Sequence, residues 1–287
     1  AWIILSPILK AVFYAASFGS VGSFLFSLHL AKQLTAEQQA YCDFLGYRST
    51  LAGAVMSLLM VLSVAGNLGG DIASVINPLL LQLALESKSG VGYLTAFIGF
   101  TSMLVAYRLR GYANKLGLLV SSGVILLSFT MSGHSQLGGV LTQSLLFIHL
   151  FGIAFWLGAL MPFRWMCLQS DPHNLSIVAH HFGVFAIGYV GLLISVGLCY
   201  AYLLLGNISL IFTTLYGNVL LIKMALVVAL LSFGAFNKFK LVPTLGIKRA
   251  HAVGQFRRSV QFEIALAFII FTASSLLTTS MTLPMEN

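Results

Sequence analysis

The stretch from Ser144 to Pro162 reads S-L-L-F-I-H-L-F-G-I-A-F-W-L-G-A-L-M-P, and it is long and apolar enough to cross most of a lipid bilayer. It contains a single ionisable side chain, His149, and Trp156 follows seven residues later. An imidazole in hydrocarbon is costly, and polar residues kept there usually face the interior of a helix bundle and serve a function. His149 is therefore the first candidate functional residue of this chain.

The whole chain shares this apolar character. Of its 287 residues, 59% are hydrophobic and 8% are charged, and the mean hydropathy is +0.96. Such a composition indicates an integral membrane protein rather than a soluble globular one. The net charge of +8 does not indicate nucleic-acid binding, because the basic residues are not interleaved with stacking aromatic side chains on a soluble face. The three cysteines are scattered, so the sequence predicts no disulfide framework and no thiolate metal site.

We predict an all-α polytopic membrane protein, a bundle of eight transmembrane helices that form a single integral membrane domain over residues 1–287. The apolar runs are too long and too continuous to alternate as barrel strands must. The predicted spans cover residues 2–31, 49–68, 90–109, 114–133, 140–165, 179–205, 217–237 and 258–282. Between spans two and three, residues 69–89 predict a re-entrant or interfacial helix held by Asn77 and Pro78 and too short to cross.

The distribution of basic residues predicts the orientation of the bundle. The connections after spans one, three, five and seven carry twelve lysines and arginines, whereas the other side carries only Lys88. By the positive-inside rule, these odd connections are cytoplasmic and both termini lie outside. Lys10 and Lys223 lie within spans, where the sequence assigns them no definite role.

Several motifs resemble those of the CopD/PcoD family of bacterial copper-resistance inner-membrane proteins, and they lie in a core of about residues 114–283. They are S-G-H-S (Ser132–Ser135), I-H-L-F-G-I-A-F-W-L-G-A-L-M-P (Ile148–Pro162), L-Y-G-N-V-L-L-I-K-M-A-L (Leu215–Leu226) with Phe236-Asn237-Lys238, and R-R-S-V-Q-F-E (Arg257–Glu263). The first 110 residues match only in hydropathy and span count.

The resemblance implies a multi-pass protein of the bacterial inner membrane, with both termini in the periplasm. It also implies that the protein handles copper and moves it inward, together with a separate periplasmic copper-binding partner of the CopC type. A protein of this kind is expected to bind and transport copper rather than to be an enzyme.

The sequence offers soft ligands for copper, which binds imidazole and, as Cu(I), also thioethers. Met131 and His134 lie three residues apart at the outer end of span four, and His149 lies about 14 Å along span five, near the midplane. We predict capture of Cu(I) or Cu(II) by His134 with Met131, transfer to His149, and release to a cytoplasmic copper carrier. Further candidate thioether ligands near outer span ends are Met60, Met224, Met281 and Met285.

Two other polar side chains within spans have structural interpretations as well as functional ones. Trp156 is expected to pack against the helix that His149 faces. Glu263 lies near the cytoplasmic surface, where an ion pair with Arg257 or Arg258 is the first expectation and coupling to protons the second.

Lys223 is expected either to extend toward the outer surface or to pair with a carboxylate such as Asp71 or Glu86. A lysine beside a copper path would repel the ion unless its charge were neutralised.

Two alternatives remain open at this stage. The first is a membrane cytochrome that binds b-type haem and reacts with quinone, with axial ligands drawn from His29, His149, His180 and His181. The second is a scaffold that docks a periplasmic copper-binding protein through the segment 71–88 and transports nothing.

Overall fold

The computed structural model describes residues 2–132, 139–169, 171–205, 215–246 and 249–279. Within these residues, eight helical segments are long and apolar enough to cross a membrane, which confirms the predicted all-α polytopic fold. The helices are α1 Trp2–His29, α2 Ala36–Gly69, α3 Pro78–Glu86, α4 Lys88–Ala106, α5 Gly111–Ser128, α6 Gly139–Gly158, α7 Leu160–Met166, α8 Pro172–Leu205, α9 Leu215–Phe236, α10 Val242–Leu245 and α11 Arg249–Thr279.

Two of the spans are built from more than one helical piece. Helix α6 ends at Gly158, and α7 continues the same span after a break at Ala159. A π-helix, Asn237–Leu241, joins α9 to α10 within a single span. Because π-helical turns are rare and are often found at functional sites, this segment draws attention to the side chains that it carries.

Helix α1 lies at the centre of the bundle, where it packs against α2, α6 and α11. In the most apolar part of this helix 78% of the residues are buried, against 6% for the span Asn218–Leu245. Hydroxyl groups join α1 to α2: Ser20 Oγ lies 2.7 Å from Thr50 Oγ1, and Ser6 Oγ lies 2.8 Å from Ser63 Oγ. Such hydrogen bonds contribute to helix association in lipid, where helices gain little from apolar contact alone.

Three helices begin well before the predicted spans. Helix α2 starts at Ala36 rather than at 49, α8 at Pro172 rather than at 179, and α11 at Arg249 rather than at 258. The start of α2 is fixed by a capping box, in which Thr35 Oγ1 accepts from Gln38 N and Gln38 Oε1 accepts from Thr35 N. By the predicted orientation, all three extensions project on the cytoplasmic side.

The segment between α2 and α4 contains the predicted short helix. Helix α3 has nine residues, too few to cross a bilayer. The Asn77 side chain accepts hydrogen bonds from Leu79 N at 3.0 Å and Leu80 N at 3.3 Å, and Pro78 occupies the first helical position. The two residues that were expected to hold this helix therefore form its N-terminal cap.

Candidate functional site

The His149 ring lies between α6 and α8. Its Nδ1 lies 3.3 Å from the carbonyl oxygen of Leu193, and a Cβ added to Gly197 would lie 3.1 Å from its Cε1. The absence of a side chain at Gly197 therefore allows α8 to approach the ring closely. The ring is only partly buried, and it touches helix backbone on one side.

Lys223 of α9 lies within electrostatic range of the His149 ring. The two carboxylates considered as its partners have other hydrogen-bond donors: Ser74 donates to Asp71, and Gln82 donates to Glu86 at 2.9 Å. Lys223 thus interacts electrostatically with the candidate copper ligand, and among the described residues neither Asp71 nor Glu86 forms an ion pair with it.

The candidate thioether ligands are dispersed. Met131 ends the 3₁₀ turn Phe129–Met131 and lies near Gly92 of α4. Met60 is buried in the hydrophobic core that surrounds α1, and Met224 of α9 is 40% exposed. The remaining candidates, His134, Met281 and Met285, lie outside the described residues.

The structure shows no preformed carboxylate, thiolate and imidazole cluster in the part of the chain that it describes. There, no group of three or more His, Cys, Asp or Glu side chains lies close enough together to hold a metal ion. Burial raises the pKa of Cys167 to about 12, which keeps its thiol protonated and makes it a poor metal ligand. A copper site on these residues would therefore have at most two such ligands, and thioether or backbone groups would complete it.

The structure does not support haem ligation. His29 uses both ring nitrogens within the protein, with Nδ1 2.8 Å from Leu25 O and Nε2 2.9 Å from the Tyr189 hydroxyl. His180 and His181 are neighbours on α8, and Nδ1 of His181 lies 2.9 Å from Ile177 O. None of the contacts made by these rings places two of them on opposite sides of a space for a porphyrin.

A second polar centre lies between α6, the π-helix and α11. Glu263 is 2% exposed, and its carboxylate accepts hydrogen bonds from Trp156 Nε1 at 3.3 Å and from Asn237 Nδ2. In the described part of the chain Glu263 does not form the expected ion pair with Arg257 or Arg258, and its partners are two neutral donors on other helical segments. Sequence reasoning missed Asn237, although it belongs to the Phe236-Asn237-Lys238 motif.

Trp156 has a more specific role than packing alone. A Cβ added to Gly234 of α9 would lie 2.6 Å from its Cζ2, so the indole ring fills the space left by that glycine. The ring nitrogen at the same time binds Glu263 of α11. Trp156 thus connects the His149 helix to two of the last three long helices.

A cavity of about 290 Å³ opens beside this polar centre. Its wall is mainly apolar and includes Phe182, Ile187 and Leu231, while its polar lining comes from Trp156, Asn237, Lys238 and Glu263. Lys238 also lines a second cavity together with His180 and His181. Lys238 and Val242 thus line both cavities.

Asp71 lies at the opposite end of the bundle from the π-helix, just after α2. The hydroxyl and the backbone N–H of Ser74 both donate to its carboxylate, and these bonds lower the pKa of Asp71. Its backbone carbonyl accepts from Trp2 Nε1 at 2.7 Å, which ties the start of α1 to this turn. Asp71 has a local structural role here.

Comparison with known proteins gives concordant matches. A family model described as copper resistance protein D matches residues 177–277, and one described as copper resistance protein D-like, N-terminal domain, matches residues 2–143. Inner membrane protein YebZ of Escherichia coli (strain K12) is 28% identical over 240 residues, which cover 79% of this chain and 80% of that protein. No solved structure matches the chain significantly.

The similarity therefore extends into the first half of the chain, where the sequence motifs alone gave only hydropathy and span count. The first match ends at residue 143, within the first turns of α6, and the second begins at residue 177, so together they cover most of the chain. With eight helices long enough to cross a membrane in the described residues, the chain belongs to the CopD family of bacterial copper-resistance inner-membrane proteins.

Proposed function

We propose that the protein moves copper ions from the periplasm toward the cytoplasm along a path that includes His149. The observation that supports this proposal most directly is the hydrogen bonding of the His149 ring, which determines which ring nitrogen carries the proton. Its Nδ1 faces the Leu193 carbonyl oxygen, which can only accept, so Nδ1 carries the proton. Its Nε2 has no hydrogen-bond partner among the described residues and holds the lone pair that a copper ion needs.

This arrangement is common at metal sites. Histidines that bind metals usually donate their other ring N–H to a carbonyl or carboxylate oxygen, which fixes the tautomer and the direction of the lone pair. In the membrane the same bond also satisfies the polar N–H of the ring. Leu193 would thus orient His149, and Gly197 would leave room for the ring beside α8.

Copper would enter from the side at which α5 ends. There Met131 offers a thioether and the adjacent His134 an imidazole, which are both soft ligands. A separate periplasmic copper-binding protein of the CopC type would deliver the ion, and a cytoplasmic carrier would receive it. The protein acts in this scheme by binding and transport, without catalysis.

The proposal is tested by copper accumulation in cells that express His149→Ala. We expect accumulation to fall to the level of cells without the protein, while the amount of protein in the membrane is unchanged. His173→Ala is the matched control, because this histidine is exposed in the first turn of α8 and lines neither of the two cavities. Unchanged accumulation by His149→Ala at normal protein levels would refute the path.

The outer step has its own test. His134→Ala should weaken the apparent affinity for copper and leave the maximal rate largely intact, since the ion can still reach His149. A variant that instead disappears from the membrane would show that His134 supports the fold.

A further inference from the structure

We propose that Glu263 and Asn237 form a proton-binding site, and that the site exchanges its proton with solvent as copper passes His149. The coupling to copper rests on the proposed function, whereas the binding of a proton does not. The argument starts from the carboxyl group itself, which is buried inside the bundle and bound by neutral groups on two other helical segments.

The surroundings of Glu263 have opposing effects on its two protonation states. Burial disfavours the charged form, and the two N–H donors favour it. Among the described residues, its side-chain hydrogen-bond partners are the neutral groups of Trp156 and Asn237. Arg258 and Arg257 of α11 are the nearest charged residues along the chain, and Lys238 of the π-helix lines the same cavity. In the part of the chain that the structure describes, none of the three forms an ion pair with Glu263, and Lys238 Nζ donates to the His180 carbonyl oxygen instead.

Apart from Lys238 and Glu263 itself, no charged side chain of the described residues lines this cavity. Helix α6 faces Glu263 with the neutral indole of Trp156, and α7 contributes Leu160 and Phe163 to the same cavity wall. Helix α8 contributes His180 and His181 to the second cavity instead. A carboxyl without a fixed cation partner can lose or gain a proton without breaking an ion pair.

Asn237 is suited to serve both states. Its Nδ2 donates to Glu263, whereas its Oδ1 is buried and has no hydrogen-bond partner in the described residues. A half-turn of the amide exchanges the two groups. In the observed orientation the N–H donates to an ionised carboxylate. In the rotated orientation the amide oxygen would accept the O–H of a protonated carboxyl group. Because Asn237 Oδ1 has no partner among the described residues, the amide can rotate without losing a hydrogen bond from its oxygen.

A route to the surface passes through Lys238. This side chain lines the cavity that contains Glu263 and Asn237, and it lines the second cavity with His180 and His181. Water that enters between these groups can carry a proton to and from the carboxyl. By the positive-inside rule this side is cytoplasmic.

Copper and the proton would interact through α6. Trp156 lies seven residues beyond His149, which is about 10 Å along a helix. A copper ion on His149 stabilises a negative charge at Glu263, so the O–H bond of the acid breaks and its proton passes to water. When copper leaves, the carboxylate takes up a proton again. No electron is transferred in either step.

Infrared spectroscopy of the full-length protein in lipid nanodiscs tests the site. We expect a band from a protonated carboxyl group that titrates with pH, is absent in Glu263→Gln, and weakens when copper is added to the wild-type protein. Glu86→Gln is the matched control, because Glu86 is an exposed carboxylate bound by Gln82, and its spectrum should retain the band.

Identical spectra for Glu263→Gln and the wild type at every pH would overturn the proton site. If Glu263→Gln fails to fold, Asn237→Leu provides the second test, since loss of the amide should move the midpoint of the titration. A midpoint that stays in place would refute the role of Asn237. A band that titrates with pH but does not change when copper is added would refute the coupling. If His149→Ala leaves copper accumulation unchanged, only the copper path is refuted.

Discussion

Gly22 of α1 and Gly158 at the end of α6 pack backbone against backbone. A Cβ added to either residue would overlap main-chain atoms of the other. Small residues at such crossings allow helices to approach closely in membranes, where van der Waals contact is a main source of stability. This crossing holds the His149 helix against the central helix of the bundle.

We expect Gly22→Ala to destabilise the protein by about 1–3 kcal/mol, because the extra methyl group forces α1 and α6 apart. Thermal unfolding in detergent measures the effect. Gly188→Ala is the matched control, since a Cβ at Gly188 would meet nothing within 4 Å. Equal stability of the two variants would show that the backbones of α1 and α6 are not in direct contact at Gly22 and Gly158.

Ser20→Ala tests the hydroxyl pair between α1 and α2. The side chains of Ser20 and Thr50 lie 2.7 Å apart in the buried interior. We expect a loss of about 1 kcal/mol, with a smaller additional loss when Thr50→Val is combined with it, since a shared bond is lost once. Fully additive losses in a double-mutant cycle would contradict a direct bond.

Lys223→Gln should increase copper accumulation by about three- to tenfold, because it removes a positive charge that interacts with the His149 ring. Uptake at limiting copper concentration measures the change. Lys115→Gln, at an exposed lysine of α5, is the control and should leave uptake unchanged. A fall in uptake would show that Lys223 assists the ion instead of opposing it.

Acid should release the turn that follows α2. Because the hydrogen bonds from Ser74 lower the pKa of Asp71 below its unfolded value of about 3.9, their contribution is complete above that pH and is lost as the pH falls through the folded pKa. Trp2 reports the change, since its indole donates to the Asp71 carbonyl.

The fluorescence difference between the wild type and Trp2→Phe isolates this signal. In Ser74→Ala the pKa of Asp71 should return toward its ordinary value, and the transition should move to higher pH. A transition at the same pH in both proteins would mean that Ser74 does not control the carboxylate.

Hydropathy was enough to predict the eight spans, because a bilayer demands about 20 apolar residues per helix regardless of how helices pack. It could not locate the true start of α8 or α11, since a helix continues into water without an apolar signal. The start of α2 was detectable, because Thr35 and Gln38 carry the capping-box spacing. That local signal is independent of hydropathy.

The hydrogen-bond partners of Glu263 could not be predicted from the sequence. The depth of Glu263 in its span was visible, and its nearest charges in the sequence, Arg257 and Arg258, made an ion pair the natural expectation. Its actual partners come from residues 107 and 26 positions away, on α6 and in the π-helix. Neither the fold of that segment nor the contact follows from spacing, because both depend on how helices distant in sequence assemble.

The central place of α1 has a consequence for biogenesis. Helix α1 is synthesised before the helices that enclose it, and it carries serines such as Ser20 that finally face another helix. Two of its neighbours, α6 and α11, are synthesised much later. Until then its polar face can be shielded only by α2 or by the insertion machinery. Of these packed helices, the one synthesised before its neighbours is thus the last to be fully enclosed, and a chain truncated before α11 leaves one side of α1 exposed to lipid.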